Sequence, residues 1–475
     1  MTAAAGKGGA PGVAVVVLNY NGGDYLSACL QALAATDYPV ERLETIVVDN
    51  LSIDGSPEAV ETDFPDVRLV RSGGNVGFAR GNNAGIRATT AEFVALVNPD
   101  TEVEPGWLWP LVRAMGEAPD IAAVCPKLLL FEDRLSIWLE SETFVPREAG
   151  LGNDERTLGL RVYSASARIT GGRDLVVEYR SGFGGIELDE AGRQFRWTSG
   201  SGELGVAGGD GHVVISMEMA APRPDGEQVS FGIGTDAETL DGGTVGAKPI
   251  GEVVALPGGA WGRARPVVQN AGSELLADGS SRDRGTLITG SSPYADWDGD
   301  RYEKAQDVFS LCGAGVLLRR EPLLAAGGFD GRMFMYYEDT DLAYRLRRRG
   351  GRVRYEPGSV IRHHHAALAG EWSPFFLEQV TRNRIYVLLK HRSWGLGGRA
   401  LLALGRDTAV AGLGWLRQAL TAPRDSGPAF RQFWPRVKAL AWLAWTAPAV
   451  LRARRREMEL GGLSEEELAE WVVEA

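Results

Sequence analysis

The first 100 residues alternate short, nearly continuous apolar runs with stretches of helical periodicity, and this alternation restricts the fold more than any other feature of the chain. The apolar runs are VAVVVLNYN at 13–21, ETIVVDN at 44–50, VRLVRS at 67–72 and EFVALVNPD at 92–100. Helical patterns lie between them, from about Tyr25 to Ala35, after Asp54, and from Phe78 to Ala88. Strands separated by helices in this way are typical of a mostly parallel sheet that is covered by helices. The sequence therefore predicts an α/β fold.

The pattern changes after residue 136 and changes back near residue 263. The runs LGLRVYSASARI, DLVVEY, FRWTSG and HVVISMEM are short, several alternate apolar with polar residues, and Gly, Asp and Ser clusters separate them. Such runs are typical of a β-sandwich. The α/β character returns with VFSLCGAGVLLRR as a strand, 338–349 as a helix and VRYEP as a strand. We therefore predict an α/β part at 1–136, a β-rich insert at 137–262, a second α/β part at 263–392 and a basic helical region at 393–475.

Charge is distributed unevenly along this chain of 475 residues with a net charge of −12. Residues 342–456 contain 22 Lys and Arg against 5 Asp and Glu, so the remainder carries −29. The C-terminal helices mix Trp, Leu and Arg, as amphipathic helices at an anionic membrane surface do. Helices that pack on the α/β part of the chain with solvated arginines are the alternative. Nucleic-acid binding is not expected, because no recognition module is present.

The chain is expected to be cytoplasmic and peripheral at the inner face of the cell membrane. The apolar run near its start is too short for a signal peptide, and 439–451 falls short of the ~20 residues that a membrane-spanning helix needs. The three cysteines, Cys29, Cys125 and Cys312, are far apart and have no His or Cys at ligand spacing. They argue against a disulfide framework or a zinc site.

Polar residues end all four of the early strands, which is where ligands collect in open α/β sheets. Acids and amides accept hydrogen bonds from a ribose or a base, and glycine-rich turns let backbone amides approach phosphates. The candidates for nucleotide binding are Asn19, Asn21, Asp49, Asn50, Gly77, Arg80, Asn83 and Asn98. Turn or helix-cap chemistry explains any one of them alone, but the four strand ends together favour a nucleoside site. The glycine run lacks the spacing of a dinucleotide fingerprint or a P-loop, which disfavours hydride transfer and ATP hydrolysis.

The chain resembles the family 2 glycosyltransferases of the GT-A fold, in particular the bacterial rhamnosyl- and galactofuranosyltransferase types. The matching segments of the first part are VVVLNYNGGDYLSACLQAL, IVVDNLSIDGS, GGNVGFARGNNAGI and LVNPDTEVEPGWL. Those of the second part are QNAGSELLADGSSRDRG, FSLCGAGVLLRREPLLAAGGFD, FMYYEDTDLAYRLRRRGGRVRYEP and the histidine run 363–365. The resemblance covers about 260 residues. It implies that 1–136 binds the nucleotide and that 263–392 supplies the acceptor side and the base.

The resemblance also implies individual roles on the donor side. Asp100 of the NPD triplet stands where the family has its DXD motif, so it would bind a divalent cation, Mg²⁺ or Mn²⁺, and Asn98 replaces the first acid. His363 matches the histidine that often completes the coordination of this metal. Asp49 matches the acid that contacts the nucleoside, and Asn19 lies on the loop that lines the base pocket.

The same resemblance makes Asp339 the catalytic base. Independently, a sugar hydroxyl that attacks an anomeric carbon needs a carboxylate to take its proton, and a diphosphate leaving group needs a cation. Glu338, Asp339 and Asp341 form an acidic group at a predicted helix start, where simple decoration of the helix end is the alternative. Glu338, Asp341 and His364 are acceptor-side candidates. Consecutive histidines in a strand point to opposite faces, so at most two of 363–365 serve one site.

These observations predict an inverting, metal-dependent glycosyltransferase. Its donor is expected to be dTDP-rhamnose or a UDP-sugar, and its acceptor a lipid-linked or growing glycan of the cell wall or a surface polysaccharide. The alternative is a catalytically inactive relative that binds glycans or acts as a scaffold through its β-insert. A nucleotidyltransferase is a third possibility, but it would carry Arg and Lys after the first strand, where this chain reads NYNGGD.

Overall fold

The computed structural model describes residues 9–473 except 209, 210, 258, 291, 365–372, 422–426 and 462. The chain divides into two compact units. The first, called the α/β unit, comprises Met1–Leu129, Asn270–Arg284 and Asp300–Ala475. The second, called the β unit, comprises Leu130–Gln269 and Gly285–Gly299. The bounds of the β unit differ from the predicted 137–262, because it begins earlier and includes a second segment that forms an antiparallel hairpin.

Twenty-six strands and ten α-helices lie in the described part of the chain. The strands are β1 (Val13–Asn19), β2 (Leu43–Asp49), β3 (Arg68–Arg71), β4 (Phe93–Val97), β5 (Thr101–Val103), β6 (Ile121–Leu130), β7 (Arg134–Ser141), β8 (Arg161–Ile169), β9 (Asp174–Leu175), β10 (Val177–Tyr179), β11 (Glu187–Leu188), β12 (Gln194–Trp197), β13 (Ser201–Ala207), β14 (Val213–Ala220), β15 (Val229–Gly234), β16 (Thr239–Val245), β17 (Ile250–Ala255), β18 (Val267–Asn270), β19 (Ser273–Leu276), β20 (Ser281–Asp283), β21 (Thr286–Thr289), β22 (Ser292–Trp297), β23 (Gln306–Asp307), β24 (Gly315–Arg319), β25 (Arg352–His363) and β26 (Val472–Val473). The helices are α1 (Gly23–Ala34), α2 (Ser56–Asp63), α3 (Gly77–Ala88), α4 (Leu108–Gly116), α5 (Arg320–Ala325), α6 (Glu338–Arg348), α7 (Pro374–His391), α8 (Trp394–Thr421), α9 (Gly427–Glu459) and α10 (Glu465–Ala469).

The sheet of the α/β unit is mixed, with the strand order β6-β24-β4-β1-β2-β3. Strands β1 to β4 run parallel to one another, whereas β24 is antiparallel to β4 and β6. Strand β1 is buried along its whole length, as its apolar run predicts. The parallel register places Asn19 beside Asp49 and Asp49 beside Arg71. The polar ends of β1, β2 and β3 therefore meet at one edge of the sheet.

Helix α3 packs unusually close to this sheet because it carries small residues. A Cβ atom at Gly81 would lie 2.3 Å from a methyl group of Leu18, and one at Gly85 would lie 2.4 Å from a methyl group of Val16. Side chains at these two positions would push the helix away from β1. The glycines of the GGNVGFARGNNAG segment thus serve helix packing as well as the turn before the helix.

The β unit is a sandwich of two antiparallel sheets. One sheet has the order β10-β13-β7-β15-β16, and the other has the order β11-β12-β8-β14-β17 with β9 beside β8. Apolar residues of both sheets share one buried core, including Ile137, Leu204, Ile215 and Val254. The predicted β-sandwich character of the insert is therefore confirmed.

The C-terminal helices belong to the α/β unit. Helix α7 packs against α6, α8 and α9, and the chain then returns so that β26 pairs in parallel with β19. Helix α10 begins with a capping box in which Ser464 and Glu467 exchange hydrogen bonds. Over the residues that the structure describes, no helix is both long and apolar enough to cross a bilayer.

Candidate active site

The ends of β1 and β2 are joined by buried polar side chains. The amide of Asn19 is fully buried and donates to Ser52 Oγ at 3.1 Å and Ser56 Oγ at 2.8 Å, while its oxygen accepts from the Gly22 amide at 3.0 Å. Asp49 is buried beside it, and its Oδ1 accepts from the Ser52 amide at 3.2 Å. Asn19 therefore fixes the loop after β1 to the loop after β2, and this loop pair presents Asp49 at the edge.

Asn21 and Asn50 extend this network to the neighbouring loops. Asn21 adopts the left-handed region at φ 54°, and its oxygen accepts from the Ile53 amide at 2.8 Å. Asn50 donates to Asn75 Oδ1 at 3.0 Å and accepts from the Val76 amide at 2.9 Å, so it holds the glycine-rich loop in front of α3. Both residues lie at the strand ends, as the sequence predicts, and their hydrogen bonds shape the loops of the edge.

Three further donor-site candidates, Gly77, Arg80 and Asn83, all contact the segment 329–334. A Cβ atom on Gly77 would lie 2.5 Å from the carbonyl oxygen of Phe334, so only glycine fits there. Arg80 Nε donates to the Gly331 carbonyl at 2.7 Å. The Asn83 amide donates to the Phe329 carbonyl at 2.8 Å and accepts from the Phe329 amide at 2.9 Å. The contacts of these three residues connect α3 to the loop that precedes α6.

Asp100 and His363 form a buried pair at the junction of β5 and β25. His363 Nε2 lies 3.1 Å from Asp100 Oδ1, and the antiparallel register places His363 opposite Thr101. Burial alone would raise the pKa of Asp100, but the hydrogen bond and charge of His363 outweigh it and lower the pKa. Asn98 is half-buried nearby, and its carbonyl accepts from Thr101 Oγ1 at 2.7 Å.

This pair offers one carboxylate and one imidazole to a cation. In the described segments no group of three or more His, Cys, Asp and Glu side chains is gathered for metal binding. Mg²⁺ commonly takes only one or two protein carboxylates and completes its coordination with phosphate oxygens and water. The donors present therefore fit a cation that is shared with a diphosphate, and they do not form a cage that is complete without one.

Asp339 lies in the first turn of α6, which begins directly after Tyr337. Its Oδ1 accepts from the Thr340 amide at 2.6 Å. Burial raises the pKa of Asp339 to about 6, and the negative charge of Asp283 adds to this, although the hydrogen bonds from Thr340 oppose it. A carboxyl group with a pKa near the working pH is suited to accept a proton.

The two neighbouring acids have different surroundings. Glu338 is buried, its Oε2 has no hydrogen-bond partner within the described residues, and burial together with Asp339 raises its pKa well above the ordinary value. Asp341 is fully buried between Lys390 at 2.7 Å, Arg345 at 2.7 Å and His391 at 2.8 Å. Asp341 is enclosed by these cations and the imidazole, so it does not line an acceptor site.

The remaining acceptor-side candidate, His364, is half-buried beside Tyr25, with ring centroids 4.8 Å apart. Its Nε2 lies 3.6 Å from Glu102 Oε1. His365 lies outside the described residues.

Sequence reasoning missed two residues, one whose charge affects Asp339 and one that contacts the segment before α6. Asp283 stands in the SSRDRG segment, but nothing local distinguishes it from a turn residue, and only its charge near Asp339 reveals it. Asn383 lies within the helical run TRNRIYVLL and contacts the segment before α6. Neither position carries a sequence signal, because both contacts are made across the fold.

Two protein-family models match the chain. Residues 14–170 match the model described as Glycosyl transferase family 2, and residues 269–383 match Glycosyltransferase like family 2. An N-acetylglucosaminyltransferase of Bradyrhizobium elkanii is 31% identical over 134 residues, which are 27% of this chain and 72% of that protein. An N-acetylglucosaminyl-diphospho-decaprenol L-rhamnosyltransferase of Mycobacterium tuberculosis is 32% identical over 124 residues, which are 24% of this chain and 39% of that protein.

The chain spans less than half the length of several other curated relatives that it matches. Among solved structures, a mannosyltransferase from Pyrobaculum calidifontis in complex with GDP-Man and Mn²⁺ is similar at 15% identity with a TM-score of 0.36. That match covers 92% of this chain and 76% of the mannosyltransferase chain. The matched family, the mixed sheet and the strand order agree with the α/β fold of the GT-A type that the sequence predicts.

Proposed function

The chain belongs to the family 2 glycosyltransferases, and on this premise we propose that it transfers a sugar from a nucleotide-diphosphate donor to a hydroxyl group of a glycan. The observation that carries this proposal is the environment of the Asp339 carboxyl group. Its carboxyl group lies at a helix start, has a pKa of about 6 and keeps one oxygen bonded to the Thr340 amide. A base of this kind is what a hydroxyl nucleophile needs.

In the proposed mechanism the oxygen of the acceptor hydroxyl attacks the anomeric carbon. The Asp339 carboxylate accepts the proton of that hydroxyl as the new bond forms. The nucleoside diphosphate leaves from the opposite side of that carbon, so the configuration inverts. Burial and the nearby charge of Asp339 raise the pKa of Glu338 well above its ordinary value. We therefore assign the proton-accepting role to Asp339 and not to Glu338.

On the donor side, the edge formed by Asp49 and the loops that Asn19 and Asn50 hold is proposed to bind the nucleoside. Asp100 and His363 would hold a divalent cation, Mg²⁺ or Mn²⁺, which when bound neutralises the charge of the departing diphosphate. Gly77, Arg80 and Asn83 are proposed to act indirectly, since their bonds keep the loop before α6 next to α3.

We propose a dTDP-rhamnose or UDP-sugar donor and a lipid-linked or growing glycan of the cell wall or a surface polysaccharide as acceptor. The similarity to the mycobacterial rhamnosyltransferase, whose name specifies a decaprenol-linked acceptor, supports this choice. The match covers 24% of this chain and 39% of that protein, so the acceptor is inferred by analogy.

The C-terminal helices are proposed to lie on the cytoplasmic surface of the membrane. Helix α8 exposes Leu402, Leu413 and Leu420, which are eleven and seven residues apart and therefore share one face. Arg399, Arg406 and Arg417 lie three or four residues from these leucines, so they flank the same face. Exposed leucines beside arginines fit an anionic lipid surface, where the apolar groups enter the interface and the cations meet the headgroups.

The alternative, an inactive glycan-binding protein, draws on one feature of the β unit. A groove of about 600 Å³ is lined by Trp138, Glu140 and Asp236, and Trp138 Nε1 donates to Asp236 Oδ1 at 2.5 Å. An aromatic ring beside carboxylates suits a sugar. Glycan binding at this groove is compatible with the proposed activity, and it becomes the main function only if turnover is absent.

The test is a comparison of the full chain with Asp339→Asn for release of nucleoside diphosphate. The donors are dTDP-rhamnose and several UDP-sugars, with Mn²⁺ or Mg²⁺ and a polyprenyl-linked or oligosaccharide acceptor. We expect turnover with one donor and a loss of about 100-fold or more in Asp339→Asn. Because only the ionised carboxyl accepts a proton, turnover of the wild type should rise with pH through about 6.

A donor-induced rise in melting temperature is the control, since ligand binding to the folded state must persist in the variant. Full turnover by Asp339→Asn would remove this residue from its assigned role. Donor binding without any turnover by the wild type, together with glycan binding, would favour the inactive alternative.

A further inference from the structure

Two consecutive tyrosines directly before the base helix have left-handed backbone conformations. Tyr336 has a φ of 71° and Tyr337 has a φ of 68°, and Tyr337 is the N-cap residue of α6. Bulky side chains strongly disfavour this region, because the Cβ atom crowds the following carbonyl. Such strain persists only where the surrounding structure enforces it, and it clusters at functional sites.

The side chain that contacts this turn comes from the middle of α7. The amide nitrogen of Asn383 donates to the Met335 carbonyl at 2.8 Å and to the Tyr336 carbonyl at 2.8 Å. Asn383 is completely buried, and its oxygen accepts from Arg382 Nε at 3.3 Å. Both hydrogens of one NH₂ group are therefore used on two successive carbonyls of the strained turn.

The Met335 and Tyr336 carbonyls are partly buried and face the fully buried Asn383, so loss of its NH₂ group would leave two acceptors to be satisfied in another way. The left-handed turn aims both carbonyls at α7, and Asn383 satisfies both of them at once. If the turn relaxed to an ordinary conformation, the two carbonyls would rotate away from Asn383. The bonds of Asn383 and the strained conformation therefore depend on each other.

We propose that Asn383 is a positioning residue that holds the Tyr336–Tyr337 turn in its left-handed form and thereby sets where the first turn of α6 presents Asp339. The proposal rests on the function proposed above, in which Asp339 is the base. Asp339 follows Tyr337 by two residues, so a change in the backbone angles of Tyr336 or Tyr337 moves its carboxyl group relative to the acceptor. A misplacement of about 1 Å is enough to lower a rate about 100-fold.

The first test replaces the NH₂ group without changing the size of the side chain. Asn383→Leu removes both donors, and Asn383→Asp keeps the shape but presents a carboxylate to two carbonyls. For both variants we expect kcat to fall about 10- to 100-fold while the KM of the nucleotide-sugar donor stays within about twofold. Turnover is normalised to folded protein, which is quantified by the donor-induced shift in melting temperature.

The matched control is Gln379→Leu, one helical turn earlier on α7. Gln379 is also buried, but its side-chain oxygen accepts a hydrogen bond from Arg382 of the same helix, at 2.6 Å, and not from the segment 335–337. This variant should lose stability as the Asn383 variants do and keep its kcat. A loss of kcat equal to that of Asn383→Leu would overturn the proposal, since it would show a general effect of α7.

A second-site variant tests the strain itself. Asn tolerates the left-handed region better than other residues with a side chain, so Tyr336→Asn should restore part of the lost kcat when it is combined with Asn383→Leu. No restoration in the double variant, or a wild-type kcat in Asn383→Leu and Asn383→Asp, would overturn the proposal. If Asn383→Leu does not fold, Asn383→Asp and its combination with Tyr336→Asn decide in the same way. Absence of turnover in the wild type would instead reject the proposed function.

Discussion

Three carboxyl groups within four residues behave differently because each one meets a different environment. Burial near the charge of Asp283 raises the pKa of Asp339 to about 6. Burial next to Asp339 raises the pKa of Glu338 well above its usual range. Lys390, Arg345 and His391 outweigh burial at Asp341 and hold its pKa well below the usual range. One helix start thus holds three carboxyl groups whose pKa values are shifted differently by their surroundings.

The raised pKa of Asp339 has a consequence for stability. Its pKa in the folded state, about 6, exceeds the ordinary value of 3.8. The folded state therefore favours the protonated form, and the stability that this group contributes below pH 3.8 is lost as the pH rises through about 6. At pH 8 the ionised Asp339 costs stability, so Asp339→Asn should be more stable than the wild type by about 1–3 kcal/mol.

Urea unfolding of both proteins at several pH values measures this difference. The advantage of Asp339→Asn should shrink as the pH falls from 8 toward 4, because the wild-type carboxyl is then protonated in the fold. Asp63→Asn, a substitution at the exposed end of α2, provides the reference for loss of a surface carboxylate. An Asp339→Asn protein that is less stable than the wild type at pH 8 would contradict the raised pKa.

At the residue scale, the sequence predicted which polar residues end the strands better than it predicted their contacts. Asn19 and Asp49 end neighbouring apolar strands, and the parallel register places them side by side at the edge of the sheet. The left-handed backbone of Tyr336 could not be predicted, because tyrosine has no preference for it and the bonds that hold it come from α7. Arg80 is a candidate for nucleotide binding, and its Nε donates to the Gly331 carbonyl, a contact that the sequence does not predict.

At the scale of elements, a buried polar network joins α6, which carries Asp339, to α7. Asp341 of α6 contacts Lys390 and His391 of α7, and Lys390 also lies 3.0 Å from Asp330. Tyr386 donates to the same Asp330 carboxylate at 2.9 Å. Charges that are buried this deeply are tolerable only when paired. The network therefore fixes the two helices against each other and places Asn383 opposite the turn before α6.

Removing one partner should be strongly destabilising. In Asp341→Asn the Lys390 and Arg345 cations lose a buried counter-charge, for which we expect a loss of about 3–5 kcal/mol in the free energy of unfolding. Denaturant unfolding measures this loss. Asp407→Asn, on the exposed surface of α8, is the matched control and should change stability by less than about 0.5 kcal/mol. Equal stability of Asp341→Asn and the wild type would show that the network is not a structural link.

The elements themselves were predicted from periodicity with shifts at their ends. The helix predicted at 338–349 spans Glu338–Arg348, and the strand predicted at 92–100 ends at Val97 because the chain turns before the NPD triplet. VFSLCGAGVLLRR is a strand only over Gly315–Arg319. The second segment of the β unit could not be recognised, because its hairpin is too short to differ from α/β loops without knowledge of its partners.

At the scale of the whole molecule, the charge of the chain is segregated by sequence. The region 342–456 is strongly basic, whereas the rest is strongly acidic. Some of the basic side chains serve the interior, as Arg345 does with Asp341, and these do not require a partner outside the chain. The arginines of α8 differ, because Arg399, Arg406 and Arg417 are exposed on the face that carries the exposed leucines. That combination, and not the net charge alone, supports a lipid surface as the partner.

The proposed contact of α8 with a lipid surface predicts that the chain binds anionic vesicles. The wild type should sediment with vesicles of phosphatidylglycerol and phosphatidylcholine, and less so as salt rises, because salt screens the arginines. The double substitution Leu413→Glu with Leu420→Glu should weaken this binding about 10-fold or more, since two apolar groups are lost and two anions face the headgroups. Both leucines are more than two-thirds exposed, so the fold should be unaffected.

Val253→Glu supplies the matched control, because Val253 is similarly exposed but lies in the β unit. It should bind vesicles as the wild type does. In an alternative interpretation, the leucine face joins two copies of the chain. Sedimentation without lipid tests this interpretation, because the double variant would then change the oligomeric state and leave vesicle binding intact. That result, or equal vesicle binding by all three proteins, would contradict a membrane-facing α8. Turnover of a soluble acceptor by the double variant should equal that of the wild type, because the exposed face of α8 contributes nothing to the chemistry at Asp339.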